Sequence, residues 1–141
     1  MKTLKSLIMG VALLLVCAAA NANGQQSQDL TKDHAITTYV NAMTHGKLTG
    51  LNNVLDDAVE FSMLRGNTVL NFSRKEMLDY FESNKNVEQP CTTTTSIVED
   101  HANVAVVKVD MKFNGFVRSN LVTISDTGDG WKITKVYSVF S

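Results

Sequence analysis

Apolar residues recur three and four apart in Ala35, Ile36, Tyr39, Val40 and Met43, the spacing that lines one face of a helix. The pattern begins at Asp29, and Thr31 or Asp33 can cap it by accepting a bond from a free N–H of the first turn. His45-Gly46 is a stop, a cationic-capable residue followed by glycine. A second, short helix is expected from Leu48 to Leu55, with Leu48, Leu51, Val54 and Leu55 on one face, ending at Asp56-Asp57. The period then falls to two. Val59 to Leu64 alternates as a strand, Arg65-Gly66-Asn67 turns, and Thr68 to Phe72 returns. Ser73, followed three residues later by Glu76, has capping-box spacing and opens a helix with Met77, Leu78, Tyr80 and Phe81 as its apolar positions.

Beyond Pro90 the chain reads as strands. Thr92 to Glu99 is rich in β-branched residues. From Val104 to Phe113, Val107, Val109, Met111 and Phe113 share a face, and Lys108, Asp110 and Lys112 take the other. Asn114-Gly115 is the strongest hairpin signal, since both residues tolerate positive φ. Phe116 to Ser125 and Trp131 to Phe140 complete the set. Links this short require antiparallel pairing, because parallel neighbours need long crossovers. The expected fold is α+β, in the order α-α-β-β-α-β-β-β-β, with helices packed on one face of a sheet.

The first 22 residues follow a different logic. Lys2 and Lys5 precede an apolar run from Leu7 to Cys17, and Ala20-Asn21-Ala22 closes it. A basic start, a short apolar core and an A-x-A exit make a secretory signal peptide. A membrane-spanning helix would need about 20 apolar residues. Lipidation at Cys17 is a minor alternative, with Val16 too bulky for the usual preceding position. Cleavage after Ala22 divides the chain into a signal peptide (1–22), a polar disordered leader (23–28) and one domain (29–141), exported to the periplasm or beyond. It takes 13 basic and 14 acidic residues to 11 and 14, a net charge of −3, and leaves Cys91 as the lone thiol. That thiol has no basic neighbour in sequence to activate it, so burial is expected. Near-balanced charge excludes an electrostatic nucleic-acid binder. No membrane association is expected after cleavage.

Three stretches resemble the nuclear transport factor 2-like superfamily, also called the SnoaL-like or cystatin-like cone fold. They are Leu55-Asp56-Asp57-Ala58-Val59-Glu60-Phe61, then Arg65-Gly66-Asn67 leading to Ser73-Arg74-Lys75-Glu76-Met77-Leu78, and Gly130-Trp131-Lys132-Ile133. Within it the chain looks most like small secreted bacterial lumazine-binding-like proteins. The resemblance implies a curved sheet wrapped round a helix, a pocket at the open end, and dimerisation through the sheet. It does not imply a reaction.

Isomerase-like members resemble this chain at Asp56 to Ser62, but an ungapped match puts Ser62 where they hold their general base. A serine without an adjacent base cannot take a proton near neutral pH. Glu60 lies on the same strand face as Ser62 and could substitute, and Asp110 is the other candidate; for both, the plainer role is a solvated carboxylate. Tyr39 sits where such members place an oxyanion-binding tyrosine, or it is simply a core aromatic. Arg118 and Asn120 share a face of one strand, and Trp131, Ile133 and Tyr137 share parity on the last. Apolar walls with a few convergent polar groups describe a small-molecule site. The expected ligand-binding set is Tyr39, Met43, Phe61, Arg118, Asn120 and Tyr137. His34, His45 and His101 have no metal-ligand spacing, so no metal or cofactor is expected. The leading expectation is a secreted, non-catalytic domain that binds a small apolar or aromatic ligand in the cone, dimerises through the sheet, or both. The alternative is a polyketide-cyclase-like or ketosteroid-isomerase-like enzyme, which requires Glu60 or Asp110 to face the interior.

Overall fold

The computed structural model describes residues 31–141. The expected signal peptide and leader lie outside them. Thr31 caps α1 (Lys32–His45) by accepting from the His34 N–H at 3.2 Å. Gly46, at φ 63°, ends it in the left-handed conformation. α2 (Leu51–Val54) is shorter than the expected Leu48–Leu55, because Gly50 at φ 81° breaks the chain direction after Leu48. Leu55 then passes directly into β1 (Leu55–Arg65), so Asp56-Asp57 belongs to a strand and does not mark a turn. The pull is long-range: Leu55 pairs in parallel with Ile133.

β2 (Thr68–Phe72) returns across a two-residue turn at Gly66-Asn67. The capping box at Ser73 forms in full, with Ser73 Oγ accepting from Glu76 N and Glu76 Oε2 accepting from Ser73 N. It opens α3 (Arg74–Ser83). β3 (Thr92–Asp100), β4 (Val104–Lys112), β5 (Val117–Asp126) and β6 (Trp131–Phe140) form an antiparallel meander. The six strands make one unclosed sheet, ordered β2-β1-β6-β5-β4-β3, with β6 and β5 at its centre and β1 parallel to β6. Register shifts interrupt β1, β3 and the β5–β6 ladder. The shifts in β3 and in the β5–β6 ladder each add one residue to one strand, whereas residues 56–59 of β1 stand against Thr134 alone, and such irregularities bend the sheet. The α+β cone expected from the sequence is the fold observed.

The core lies between the helices and the concave face. Ala35, Tyr39 and Met43 of α1, and Met77 and Phe81 of α3, meet Val59 and Phe61 of β1, Val107, Val109 and Met111 of β4, Val122 and Ile124 of β5, and Ile133 and Val136 of β6. Tyr39 packs edge-on against Phe81, with ring centroids 6.4 Å apart. Cys91 is half-buried against this core. The C-terminus of α1 is stitched to the segment after α3: Gln89 N donates to Thr44 O at 2.7 Å, Asn86 N to Gly46 O at 3.0 Å, and His45 Nδ1 meets Glu88 Oε1 at 3.0 Å.

Candidate functional site at the cone mouth

The concave face carries a buried polar cluster where the core approaches the open end. Arg118, Asn120, Val122 and Ile124 alternate inward along β5, opposite Phe140, Ser138, Val136 and Ile133 of β6. Arg118 Nε donates to Asn120 Oδ1 at 3.2 Å, and Arg118 Nη2 to Ser138 Oγ at 3.4 Å. Ser138 Oγ donates in turn to Asn120 Oδ1 at 2.6 Å, closing a three-residue ring. Asn120 is fully buried, and its Nδ2 donates to Val109 O at 3.3 Å and contacts Met111 Sδ at 3.6 Å. Every polar atom of that side chain is therefore engaged, as a buried amide requires. Ser138 was not among the expected site residues. Its signal was its inward register opposite Asn120, which depends on a bulge invisible in the periodicity.

Above this cluster opens a cavity of about 620 Å³. Its walls include Met63, Leu70, Phe72, Met77 and Tyr80, and Arg118 lies at its base. Arg65 and Glu76 also line it, the latter engaged in the capping box. An adjoining hollow shares Met63 and Arg65 and is bordered by Phe116 and Phe140. Phe113 and Phe116 stack at 4.7 Å, and the Arg118 guanidinium lies 5.7 Å from the Phe140 ring centroid. Aromatic and thioether walls around a few polar groups suit a small organic ligand. A hollow of about 550 Å³ between α1 and the end of α3 is lined by Thr38, Asn41, Lys47, Glu82 and other mostly polar residues, and lacks such walls.

Tyr39 is fully buried, and its hydroxyl has no hydrogen-bond partner among the described residues. Burial pushes its pKa from the ordinary 10.0 up to about 12, against the pull of the nearby Arg118 charge. It is thus a neutral phenol, a donor, at every physiological pH.

The expected site residues divide sharply. Arg118 and Asn120 are joined. Met43 and Phe61 are buried core, Phe61 pairing with Val136 beneath the polar ring. Tyr137 lies on the opposite face, paired with Leu121 and Ser62, so its expected place in the cone is corrected. The reason is the register shift at Thr134: Ile133 and Val136 both point inward, which reverses parity for the rest of β6. Glu60, paired with Lys135, is exposed on that same outer face. Asp110 also points outward, accepting from Ser119 Oγ at 2.6 Å with Lys108 Nζ at 3.4 Å. Neither expected base reaches the cavity, because each alternates with buried neighbours, Val59 and Phe61 in one case, Val109 and Met111 in the other. Among the described residues no three His, Cys, Asp or Glu side chains cluster as metal ligands, and no helix is long and apolar enough to cross a membrane.

A helix-filled, unclosed six-stranded cone of this kind is the nuclear transport factor 2-like, or cystatin-like, fold. The chain belongs to the family described as "Putative lumazine-binding", whose model matches residues 28–138. Solved structures agree on the fold. A nuclear transport factor 2-like protein of unknown function from Silicibacter pomeroyi is 17% identical, with a TM-score of 0.59, covering 86% of this chain and 97% of that one. One from Shewanella baltica is 11% identical at a TM-score of 0.62, covering 83% and 94%. A protein from Parabacteroides distasonis described as a putative ketosteroid isomerase is 10% identical at 0.54, covering 77% and 86%. Comparison with curated proteins finds no match.

Proposed function

We propose that this protein is an exported, non-catalytic domain that holds a small aromatic or apolar molecule in the cone mouth. The observation that carries the reading is the cavity of about 620 Å³ walled by Met63, Leu70, Phe72, Met77 and Tyr80, with Arg118 at its base. Its size suits one small ring system, and the family description supports a fused two-ring heterocycle such as lumazine. Glu60 and Asp110 point away from the cavity, which favours binding over the isomerase-like alternative.

Calorimetric titration of the chain from Asn23 onward with lumazine tests the reading, beside native mass spectrometry of protein purified from its own host. Saturable one-to-one binding that is lost in Leu70→Trp, which fills the cavity, is the expected result. Binding unaffected by Leu70→Trp, or turnover of a ring ketone blocked by Glu60→Gln, would sink it. We propose further that two copies pack outer sheet face to outer sheet face. Leu121, paired with Tyr137 on that face, is 36% exposed, an unusual solvent exposure for a central-sheet leucine. Sedimentation equilibrium of Leu121→Asp against the unaltered chain separates dimer from monomer.

A further inference from the structure

Arg118 carries a positive charge into a half-buried position, and none of the ion pairs among the described residues includes it. Its partners are neutral: the Asn120 amide oxygen, the Ser138 hydroxyl and the face of Phe140. A guanidinium offers five N–H donors along two forked edges. Asn120 and Ser138 take the edge formed by Nε and Nη2. The terminal edge, shared by Nη1 and Nη2, has no protein partner among the described residues. It belongs to a side chain that lines the mouth cavity. Glu76 is the one carboxylate on the cavity wall, and it is held by the Ser73 N–H at the start of α3. With Arg65 also present, the charged groups on the wall are two cations and one engaged anion.

A desolvated cation costs free energy unless an anion or full hydrogen bonding offsets it. Here the protein supplies neutral support on one edge and leaves the other without a protein partner, on a side chain that lines the cavity. This fixes the plane of the fork before anything binds, which reduces the entropy lost on binding. The Tyr39 hydroxyl is a second donor without a partner, fully buried and within reach of the Arg118 field.

We propose that, among ring systems of the size the mouth cavity takes, it selects those bearing a carboxylate, the ring between Met63, Phe72, Met77 and Tyr80 and the carboxylate on the terminal edge of Arg118. The proposal rests on the cavity being the binding site, and adds the chemical class that the site selects. A carboxylate matches the fork with two parallel N–H···O bonds, where a neutral amide of the same shape can accept only one.

The test is calorimetric titration with 2-naphthoate and its neutral isostere 2-naphthamide. The acid is expected to bind at least about tenfold more tightly, as charge-assisted bidentate pairs do over neutral ones. Arg118→Gln should bring the acid down to the level of the amide while leaving amide binding within about threefold, and Arg118→Lys should keep part of the preference, since it retains charge without the fork. The lysine variant stands in if the glutamine variant does not fold. Equal affinity for acid and amide, both abolished by Leu70→Trp, would overturn the acid selectivity and leave the cavity as a site for neutral rings. A preference that survives in Arg118→Gln would also overturn it. Failure of both compounds to bind where lumazine binds and Leu70→Trp abolishes it overturns this proposal alone, and failure of lumazine as well removes the cavity reading with it.

Discussion

Arg118 Nε donates to Asn120 Oδ1 two residues along the same inward face of β5, so one strand supplies both a cation and the neutral group that orients it. Asn120 is also the acceptor for Ser138 and the donor to Val109 O. Asn120→Ala would strand three partners in a dry environment and leave a small void. The expected cost is about 2–4 kcal/mol of unfolding free energy, measured as a lower urea midpoint at unchanged m-value. A loss below about 0.5 kcal/mol would mean that the ring is rescued by water.

Gly46 and Gly66 have nearly the same backbone, φ 63° and 61°, in different surroundings. A Cβ on Gly46 would meet Asn84 O, Asn86 N at 2.5 Å and Val87 N at 2.8 Å, all backbone atoms. A Cβ on Gly66 would meet nothing within 4 Å. Gly66→Ala should therefore cost only the left-handed strain, about 1–2 kcal/mol. Gly46→Ala should cost at least ~2 kcal/mol more, since the stitch between α1 and the Asn84–Val87 turn must separate. Paired thermal melts measure the difference, and equal melting temperatures would refute the close approach.

Tyr39 supplies a pH signature. Its phenol is raised to about 12 in the folded chain, against 10.0 for a free one. The folded state therefore holds a proton that the unfolded state releases, and stability is present in full below pH 10 and is lost as pH rises from 10 toward 12. The size is of order 3 kcal/mol for a shift of this extent. Tyr39→Phe should flatten that decline in a series of urea unfolding curves. It should also remove the late component from the 295 nm absorbance titration.

Ser73 starts α3, the helix that brings Met77 and Tyr80 to the cavity. Ser73→Ala removes the side-chain half of the capping box, the Oγ that accepts from Glu76 N, while the backbone N–H can still donate to Glu76 Oε2, and it should cost about 1 kcal/mol. Because the frayed first turn carries Glu76, amide hydrogen exchange should quicken at the start of α3 and not in β4 or β5.

Much of this molecule could be read from local pattern. The Ser73 box, the Gly46 stop, the Gly66-Asn67 and Asn114-Gly115 turns and the alternation of Val107, Val109 and Met111 each act within a few residues, and each stands where the sequence places it. The strand that begins at Leu55 was masked by helix-like spacing from Leu48, since its pairing with Ile133 is made by the far end of the chain. The site was legible only in part. Arg118 and Asn120 share a parity that no bulge disturbs, so both point inward. Tyr137 and Ser138 exchange their expected faces because one added residue cannot be seen in a period-two pattern. The strand face that Glu60 shares with Ser62 suggests a catalytic role only if that face is the pocket, and the buried side chains of Val59 and Phe61 turn it outward.

Thr134 makes that exchange. It stands opposite no single residue of β5, its Oγ1 lying 3.0 Å from Ser125 Oγ on the outer side. It touches neither the cavity nor the arginine. Deleting it would remove the bulge and leave Ile133, Val136 and Ser138 in strict alternation on the inner face, with Tyr137 still outside; the extra residue is what lets both halves of β6 keep their apolar faces inward across an odd spacing in the sequence. One residue thus works as a phase shifter for the strand.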